Sequence, residues 1–347
     1  MGRMYLGFVV DKGLLGNDPH FSEGCSYCHQ GNDQEKDKEK AHKGLIKRPS
    51  DNLALCGRCH EGIANNYKMA LHFTTIGQKE GLKARLSREE LKIYDEKVFA
   101  KSCNSCHASC GDCHVKSPVI SGVNLGLIQR HKFVRTDEGK TCALCHGGRV
   151  YPEFVGEYGG NADVHYQKGM MCLNCHRKEE LHGDGRKLSS RKDGTMKPTC
   201  FTCHNLTKSS EKSKVAHMKH ENKVSCHACH SAGEYRNCYN CHLGEGSQAK
   251  PGFILGRSPR DGKLTTLRVI PTVRDTFKKA GIVMENFDAL PNYWDTAPHN
   301  IRKRTDRTRS CDSCHREGKY FLKKENLIPE GSRVNEKLIY ELKRAVP

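Results

Sequence analysis

The sequence predicts a mainly irregular chain with short α-helices and little or no β-structure. Gly and Pro interrupt most of the chain, with 33 glycines and 12 prolines, and no segment shows convincing strand alternation. Hydrophobic residues make up 36% of the chain, whereas globular domains usually reach about 45–50% on a similar count that includes Gly. Side chains alone would therefore form a poor core, so apolar surface must come from another source.

The first predicted helix begins at Ser87, which precedes acidic residues in the first turn. Leu91, Tyr94 and Val98 then recur at helical spacing toward Cys103. This segment combines a start signal with an apolar face, so it carries the most complete helix pattern in the chain.

Two further helices are predicted in the last quarter of the chain. One runs over 273–280 and ends at Gly281, and the other runs over 334–344 with its apolar residues on one face. The polar stretch 33–43, rich in Lys and Glu, is predicted to be an exposed loop.

All 20 cysteines occur in ten C-x-x-C pairs, and each pair is followed directly by His. No Cys is left for a structural disulfide. On one helical turn, positions i, i+3 and i+4 share a face, so two thiols and one imidazole can reach a single cofactor. Numbered one to ten in chain order, the motifs are Cys25/Cys28/His29, Cys56/Cys59/His60, Cys103/Cys106/His107, Cys110/Cys113/His114, Cys142/Cys145/His146, Cys172/Cys175/His176, Cys200/Cys203/His204, Cys226/Cys229/His230, Cys238/Cys241/His242 and Cys311/Cys314/His315.

C-x-x-C followed by His is the attachment signature of c-type haem. Zinc knuckles and thioredoxin-like redox pairs also use C-x-x-C. Neither requires His after the second Cys, so ten occurrences out of ten favour haem. From Cys25 to His315 the chain resembles the multihaem cytochrome c superfamily. This resemblance implies ten covalently bound haems c wrapped by polypeptide, with each motif His as the proximal iron ligand.

Ten histidines lie outside the motif positions that bind iron. A haem iron takes one axial ligand on each side, so ten further histidines for ten irons predict bis-His ligation throughout. An ordinary surface or hydrogen-bonding role is the alternative for any one of them. The ten candidate distal ligands are His20, His42, His72, His131, His165, His182, His217, His220, His227 and His299.

Some of these candidates carry a position-specific expectation. His165 and His220 lie seven and six residues before the next motif, a placement seen in small multihaem cytochromes. His227 lies inside motif eight and is expected to bind a neighbouring haem, whereas His182 is followed by Gly-Asp-Gly in a loop. Met is an alternative distal ligand that would raise a haem's potential, although it also serves as flexible apolar filler. The candidates near motifs are Met69, Met170, Met171 and Met218.

Lys and Arg outnumber Asp and Glu by 58 to 40, which gives a formal net charge of +18. Such a surplus can indicate nucleic-acid binding. Ten haems would bring two propionates each and, when oxidised, about one positive charge per iron, which lowers the net charge to about +8 oxidised and about −2 reduced. The basic residues are therefore interpreted as counter-charges for propionates, and no nucleic-acid partner is predicted.

The family resemblance implies haem attachment outside the cytoplasm, so the chain is expected in the periplasm, outside the cell or at its surface. The apolar stretch 4–10 is short and is interrupted by Asp11, so it does not form a complete signal peptide. We interpret the sequence as beginning after processing or as lacking its start. No run approaches the roughly 18 apolar residues of a membrane-spanning helix, so membrane contact is expected only through a partner.

Motif spacing divides the chain into residues 1–100 with two motifs, 101–245 with seven and 246–347 with one. About 35 residues per haem leaves little room for separate domains, so residues 1–347 are predicted to be a single haem-packed unit. Short spacers separate motif three from four and motif eight from nine, so each pair is predicted to hold neighbouring haems.

The stretch 243–310 is the longest without Cys. Its Trp294, Pro298 and His299 are interpreted either as an ordered loop over a haem, with His299 as a ligand, or as part of a linker or subunit contact. The sequence leaves both interpretations open.

Electron transfer along the ten haems is the predicted function, with no catalytic residue. The chain would act as a periplasmic shuttle, as part of a surface conduit in extracellular respiration, or as a filament subunit. Redox proteins or extracellular electron acceptors are the predicted partners. Related filament-forming cytochromes lend a His to the next subunit, and His20 near the N-terminus is the candidate for that role.

An alternative function is a multihaem oxidoreductase that acts on a small nitrogen or sulfur compound at one open haem. Multihaem nitrite reductases commonly mark that haem with C-x-x-C-K, which does not occur in this sequence, but hydroxylamine-oxidising relatives keep the ordinary motif. One leftover His, with His182 as first candidate, would then assist proton transfer. A structural or redox-sensing role is a third interpretation.

Overall fold

The structure is a computed structural model that describes residues 10, 12–101, 107–116, 119–120, 123–124, 131–135, 139–157, 161–193, 197–206, 210–232, 252–270 and 272–341. The described part is mostly helical and irregular, and it includes one two-stranded and one three-stranded sheet. The mainly irregular, short-helix class is therefore confirmed.

Most helices have fewer than eight residues. In chain order they are α1 Lys12–Leu15, α2 Cys25–His29, α3 Lys38–Ala41, α4 Leu53–Gly57, α5 Glu61–Tyr67, α6 Leu71–Thr74, α7 Ile76–Lys83, α8 Arg88–Ile93, α9 Cys110–His114, α10 Lys140–His146, α11 Val150–Val155, α12 Val164–Gln167, α13 Cys172–Cys175, α14 Lys178–His182, α15 Glu211–His220, α16 Cys226–His230, α17 Asp306–Arg309 and α18 Asp312–His315. The longest of these, α15, has ten residues. Isolated helices this short are unstable in water, so tertiary contacts must hold them.

Within the described ranges, five strands form two antiparallel sheets. The short strands β1 Val119–Ile120 and β2 Val123–Asn124 pair with each other. The strands β3 Ile254–Arg257, β4 Leu264–Val269 and β5 Tyr293–Asp295 form a three-stranded sheet with β4 in the centre. Backbone bonds from the Phe321 segment to Leu255 cover the outer edge of β3.

The chain divides into two compact units, each assembled from separate stretches of sequence. The first comprises Met1–Ile76, Cys106–Leu144 and His176–Met196, and the second comprises Gly77–Ser105, Cys145–Cys175 and Lys197–Pro347. These boundaries differ from the divisions predicted at residues 100 and 245. The predicted single haem-packed unit stays a prediction, because it depends on the cofactors.

The first unit has a small apolar cluster between α4, α5 and α9. Leu53, Tyr67 and Ala70 are buried there, and Cys110 packs against them. The Tyr67 hydroxyl donates to the Ala108 carbonyl at 2.7 Å. This cluster holds motif two and motif four side by side.

The second unit contains three apolar clusters, built around the sheet and around α8. Glu90 of α8 is 6% exposed, and its carboxylate accepts the backbone N–H groups of Val283 and Met284 at 2.8 Å each. Burial alone would raise the pKa of Glu90, but these bonds, together with those from the Ser87 and Glu285 amides, lower it below its ordinary value. This single carboxylate ties α8 to the chain segment around residue 284.

The helix predicted from Ser87 is confirmed. Ser87 and Glu90 form a capping box at its start, and the helix continues as a π-helical turn over Tyr94–Phe99. The Ala100 amide donates to the Asp95 carbonyl at 3.0 Å, which ends this turn. Tyr94 lies in the apolar cluster of α8, with Leu91 and Val98 packed against it, as the spacing predicts.

The two later helix predictions are wrong in type and length. The 273–280 segment forms turns and then a 3₁₀ helix over Lys278–Ala280, which ends at Gly281 with φ of 84°. The 334–344 segment contains a 3₁₀ helix over Arg333–Leu338, and only residues up to 341 are described. In both cases a local apolar pattern was too short to support an α-helix without tertiary contacts.

The described residues contain little β-structure, as predicted, although no strand pattern in the sequence marked the three-stranded sheet over 254–295. The 33–43 stretch contains the single-turn α3, and most of its residues are exposed, as predicted. No helix among the described residues is long and apolar enough to cross a membrane.

Candidate functional site

Four of the motifs form complete helical turns, as the spacing predicts. Motifs one, four and eight coincide with α2, α9 and α16, and motif five lies within α10. None of the 16 described cysteines forms a disulfide, and each is exposed or partly exposed. Two thiols and an imidazole are thus available at each of these motifs.

The expectation of a complete α-helical turn is wrong for motif two. Helix α4 ends at Gly57, so Cys59 lies beyond it in a turn and is exposed. The Cys59 and His60 amides both donate to the Cys56 carbonyl, at 3.3 and 2.9 Å. The backbone of His60 then leaves the helical region, with φ of −112° and ψ of 46°, before α5 begins. The start of a second helix directly after the motif thus breaks the first one inside it.

The same expectation is wrong for motif seven. A 3₁₀ helix covers Cys200–Thr202, and Cys203 follows it with φ of −122° and ψ of −26°. Cys203 is exposed. The Cys203 and His204 amides still donate to the Cys200 carbonyl, at 3.3 and 2.9 Å. The five residues therefore close a single hydrogen-bonded turn that keeps the motif together without a regular α-helix.

The imidazole of motif three also departs from its expected setting. His107 lies in irregular structure, half-buried, and its ring centre is 5.0 Å from that of Phe73. The following residue, Ala108, donates from its amide to the His72 carbonyl at 3.2 Å and accepts the Tyr67 hydroxyl. These tertiary bonds hold the chain extended between motifs three and four, so a helical His107 is a wrong expectation.

Motif nine and both cysteines of motif three lie outside the part of the chain that the structure describes. These residues are Cys103 and Cys106 of motif three and Cys238, Cys241 and His242 of motif nine. The predicted close contacts of motif three with four and of motif eight with nine therefore stay predictions.

Six of the motif histidines lie opposite one of the ten other histidines. The distances between ring centres fall between 5.9 and 6.3 Å. The pairs are His20 with His60 (6.3 Å), His29 with His131 (5.9 Å), His114 with His182 (6.0 Å), His165 with His204 (6.0 Å), His217 with His230 (6.2 Å) and His220 with His315 (5.9 Å).

This spacing fits one metal ion between two imidazoles. Metal–imidazole bonds are about 2 Å long, and each ring centre lies a further ~1 Å beyond the bonding nitrogen, so two opposed imidazoles have ring centres roughly 6 Å apart. Close face-to-face stacking of two rings would instead bring them nearer. The six pairs are therefore candidate axial-ligand pairs.

His72 and His176 form a seventh neighbouring pair in the first unit. Burial is the main cause of the lowered pKa of His72, Glu180 acts in the opposite direction, and nearby His176 lowers it further. Burial also lowers the pKa of three other candidates, with a smaller contribution from the paired motif histidine in each case: His131, His182 and His217. A lowered pKa favours the neutral imidazole, which is the form that binds metals.

Among the described residues, hydrogen bonds through Nδ1 fix the orientation of seven of the paired rings and of the His299 ring. The acceptors are backbone carbonyls or carboxylates, so Nδ1 carries the proton and Nε2 keeps its lone pair. The carbonyl acceptors are Ile46 for His29 (2.9 Å), Val134 for His114 (3.1 Å), Ala216 for His220 (2.7 Å), Arg302 for His230 (3.1 Å) and Ala297 for His299 (3.1 Å). The carboxylate acceptors are Asp18 for His20 (2.7 Å), Asp163 for His165 (2.8 Å) and Glu180 for His176 (2.9 Å). Metal-binding histidines in proteins commonly make such a bond.

These three carboxylates were not identified from the sequence. Asp18 and Asp163 each precede the His they hold by two residues, and each also caps the following helical turn through the His amide. Glu180 follows His176 by four residues, one helical turn later. Two Asp-x-His spacings and one His-x-x-x-Glu spacing are the local signals of these contacts.

His165 and His220 do not pair with the motif that directly follows each of them in the sequence. His165 lies opposite His204 of motif seven, and His220 lies opposite His315 of motif ten. His182 ends α14, directly before the Gly-Asp-Gly loop, and its ring is nearly parallel to that of His114, with an interplanar angle of 18°. Partner choice depends on tertiary contacts and not on distance along the chain.

His42, His227 and His299 lie outside these seven pairs. His42 is exposed and directly follows α3, and His227 is the second residue of α16. The His299 amide donates to Glu153 at 2.9 Å, and Glu153 also accepts from Arg149 at 2.9 Å. Arg149 follows motif five by three residues, so these contacts bring the His299 backbone close to that motif.

Thiols of different motifs also meet. In the first unit, a hydrogen bond between the Cys56 and Cys110 thiols lowers the pKa of Cys56 to about 7 and raises that of Cys110. In the second unit, a bond between Cys200 and Cys226 lowers the pKa of Cys226 to about 6 and raises that of Cys200. Motif two thus adjoins motif four, and motif seven adjoins motif eight.

Among the residues that the structure describes, no group of three or more His, Cys, Asp or Glu side chains is arranged to hold a metal ion. No protein-family model matches the chain, and no solved structure matches it.

Proposed function

We propose that the chain is a ten-haem c-type cytochrome that conducts electrons, with most irons held between two histidines. The observation that carries the proposal is the set of six imidazole pairs at single-metal spacing. Each pair joins a His from a C-x-x-C-H motif with one of the ten other histidines. The resemblance to multihaem cytochromes c rests on the motifs, whereas the pairing is an independent feature of the folded chain.

The small apolar core of the first unit supports a large prosthetic group as part of the folded core. Its buried apolar cluster contains only Leu53, Tyr67 and Ala70 among the described residues. Porphyrins held at the motif thiols would add apolar surface to this core, which agrees with the low hydrophobic content of the chain.

Bound haem supplies one-electron redox chemistry. The protein's own residues would set its properties: the motif thiols would attach the haem, a pair of imidazoles would bind its iron, and the Nδ1 acceptors would fix the orientation and basicity of those imidazoles. An iron held by two imidazoles would have no position for a substrate, so this arrangement favours electron transfer over catalysis. We propose that the chain acts outside the cytoplasm and exchanges electrons with redox proteins or extracellular acceptors.

Self-association into a filament was predicted to use His20 as a ligand for the next subunit. The His20 ring lies 6.3 Å from His60 of its own chain, and Asp18 holds it at 2.7 Å. His20 therefore has a partner within its own chain, and its position does not support the filament hypothesis.

The test is a carbon monoxide difference spectrum of the dithionite-reduced holoprotein, normalised to haem content by the pyridine haemochrome method. We expect ten haems per chain and no CO adduct. CO needs one open axial position on the iron, and two histidines would hold both positions. A CO adduct on about one haem in ten would support the alternative oxidoreductase with one open haem. A purified protein without covalent haem would overturn the proposal.

A further inference from the structure

Helix α15 carries two of the paired histidines, three residues apart. Residues at i and i+3 lie on the same helical face, with Cβ atoms about 5–6 Å apart. His217 lies opposite His230 of motif eight at 6.2 Å, and His220 lies opposite His315 of motif ten at 5.9 Å. The two intervening residues, 218 and 219, are exposed. One helical face therefore meets the proximal histidines of two different motifs.

Motifs eight and ten also adjoin through contacts that do not involve α15. Ala228, in the middle of motif eight, is 1% exposed, and Cys314 of motif ten packs against its apolar cluster. The Thr305 hydroxyl at the start of α17 donates to the Cys229 carbonyl at 2.5 Å. These contacts bring the two motif helices, α16 and α18, together on either side of α17.

A buried arginine adds to this junction. Arg307 is 8% exposed, and its guanidinium donates to both the carbonyl and the hydroxyl oxygen of Ser231, directly after motif eight. It also lies 5.6 Å from the ring centre of Tyr320, close to motif ten. The Arg302 carbonyl accepts from His230 Nδ1 at 3.1 Å, which fixes the motif eight imidazole against the same segment.

We propose that α15 supplies the distal ligands of two haems at once, those of motifs eight and ten, and that these two haems exchange electrons directly. The inference deepens the proposed function and rests on it. Motif ten lies 73 residues after motif nine along the chain and nevertheless adjoins motif eight. Electrons can then pass between motifs eight and ten without a step at motif nine.

The experiment uses three variants of the full-length holoprotein: His217→Met, His220→Met and Lys219→Met. The last is the matched control, because it introduces the same side chain on the same helix at an exposed position. A Met ligand raises a haem's potential and gives ferric haem a sulfur-to-iron charge-transfer band. We expect each His variant to show this band and one raised potential, from a different haem in each case. The control should show neither.

Direct exchange between the two haems is measured by electron paramagnetic resonance. In His220→Met protein, a potential is chosen at which only the Met-ligated haem is reduced and therefore diamagnetic. We expect spin relaxation of one remaining ferric haem to slow, and we expect its signal to be the one altered by His217→Met. Independent relaxation of the two haems, or a change of the same haem in both variants, would overturn the inference.

A second variant keeps the test decisive if His220→Met does not fold. His220→Gly should open one iron in ten to CO, and added imidazole should close it again. If imidazole has no effect on CO binding, His220 is not an axial ligand. The pyridine haemochrome separates the two proposals: a haem-free chain contradicts the proposed function, whereas ten haems with unchanged His220→Gly spectra contradict only the α15 inference.

Discussion

Replacing Asp163 by Asn removes the charge from the most heavily used carboxylate in the site. Its side chain is 3% exposed and accepts three N–H groups: the His165 amide at 2.7 Å, His165 Nδ1 at 2.8 Å and the Ile301 amide at 2.6 Å. An Asn has one acceptor oxygen and one NH₂ group. If its oxygen faces His165, its NH₂ group faces the Ile301 donor.

The expected local cost is about 2–4 kcal/mol, because one hydrogen bond to a charged group is lost and one buried donor is left unsatisfied. Asp18→Asn is the matched control, since Asp18 makes the same two bonds to His20. The Asp18 side chain is 18% exposed, and that of His20 is 44% exposed. Solvent weakens such contacts, so this change should cost about 1 kcal/mol or less.

Native-state hydrogen exchange of the holoprotein measures this local cost without global unfolding. At 1.36 kcal/mol per factor of ten, Asp163→Asn should speed exchange of the Ile301 amide by about 30- to 1000-fold. The loss of negative charge beside His165 should also raise the potential of one haem, since a less basic imidazole stabilises the oxidised iron less. Equal effects of the two variants, or unchanged exchange at Ile301, would refute the role assigned to Asp163.

Three further predictions concern the framework around the paired histidines. Glu90→Gln should destabilise the second unit by about 2–4 kcal/mol in denaturant titrations, while the exposed neighbour Glu89→Gln should stay within about 0.5 kcal/mol. The folded pKa of Glu90 is lowered, so its contribution to stability is complete above the ordinary pKa of 4.5 and is lost as pH falls through the folded value. The unfolding free energies of the two variants should therefore converge in acid. A difference that stays constant with pH would contradict this role of Glu90. Gly183→Ala should perturb one haem spectrum, because Gly183 has φ of +82° and a Cβ there would lie 2.7 Å from the Asn66 carbonyl oxygen. The control is Gly262→Ala, which has a similar φ of +72° but meets open space, so it should leave all spectra unchanged. Tyr67→Phe should cost about 1 kcal/mol in thermal unfolding, because its buried hydroxyl loses a carbonyl acceptor at 2.7 Å; an unchanged midpoint would show that the bond contributes nothing.

The three-stranded sheet was not located from the sequence, because its strands lack the polar alternation that identifies a strand. All but one residue of β4 is buried, and all three residues of β5 are buried. A strand that is covered on both faces has no polar positions to alternate with, so the period of two that identifies a half-exposed strand is absent. Trp294, expected in a loop or a linker, lies in β5 and donates from Nε1 to the Pro291 carbonyl at 3.0 Å.

The helix at Ser87 was predictable because its signals are local. Ser87 and Glu90 bond to each other's backbone within one turn, and such bonds depend on a few neighbouring residues. The 273–280 and 334–344 segments had only a short apolar pattern. Phe277 and Ala280 of the first pack against the apolar cluster of α8, and Leu338 of the second is buried in a cluster at the sheet, so their structure depends on tertiary packing. The candidate site differs in the same way: its C-x-x-C-H motifs depend on local signals, whereas its histidine pairs depend on tertiary packing.

The sequence by itself determined the candidate attachment points. A C-x-x-C-H motif closes a turn through bonds that span four residues, so the first Cys and the His stay together even where Cys59 and Cys203 lie outside a regular helix. The count of ten further histidines also follows from the sequence. Only the tertiary structure decided which histidines face each other, because partners such as His220 and His315 are separated by 95 positions along the chain. Contacts of that range depend on how α15 to α18 and the sheet pack together, and no local periodicity records that packing.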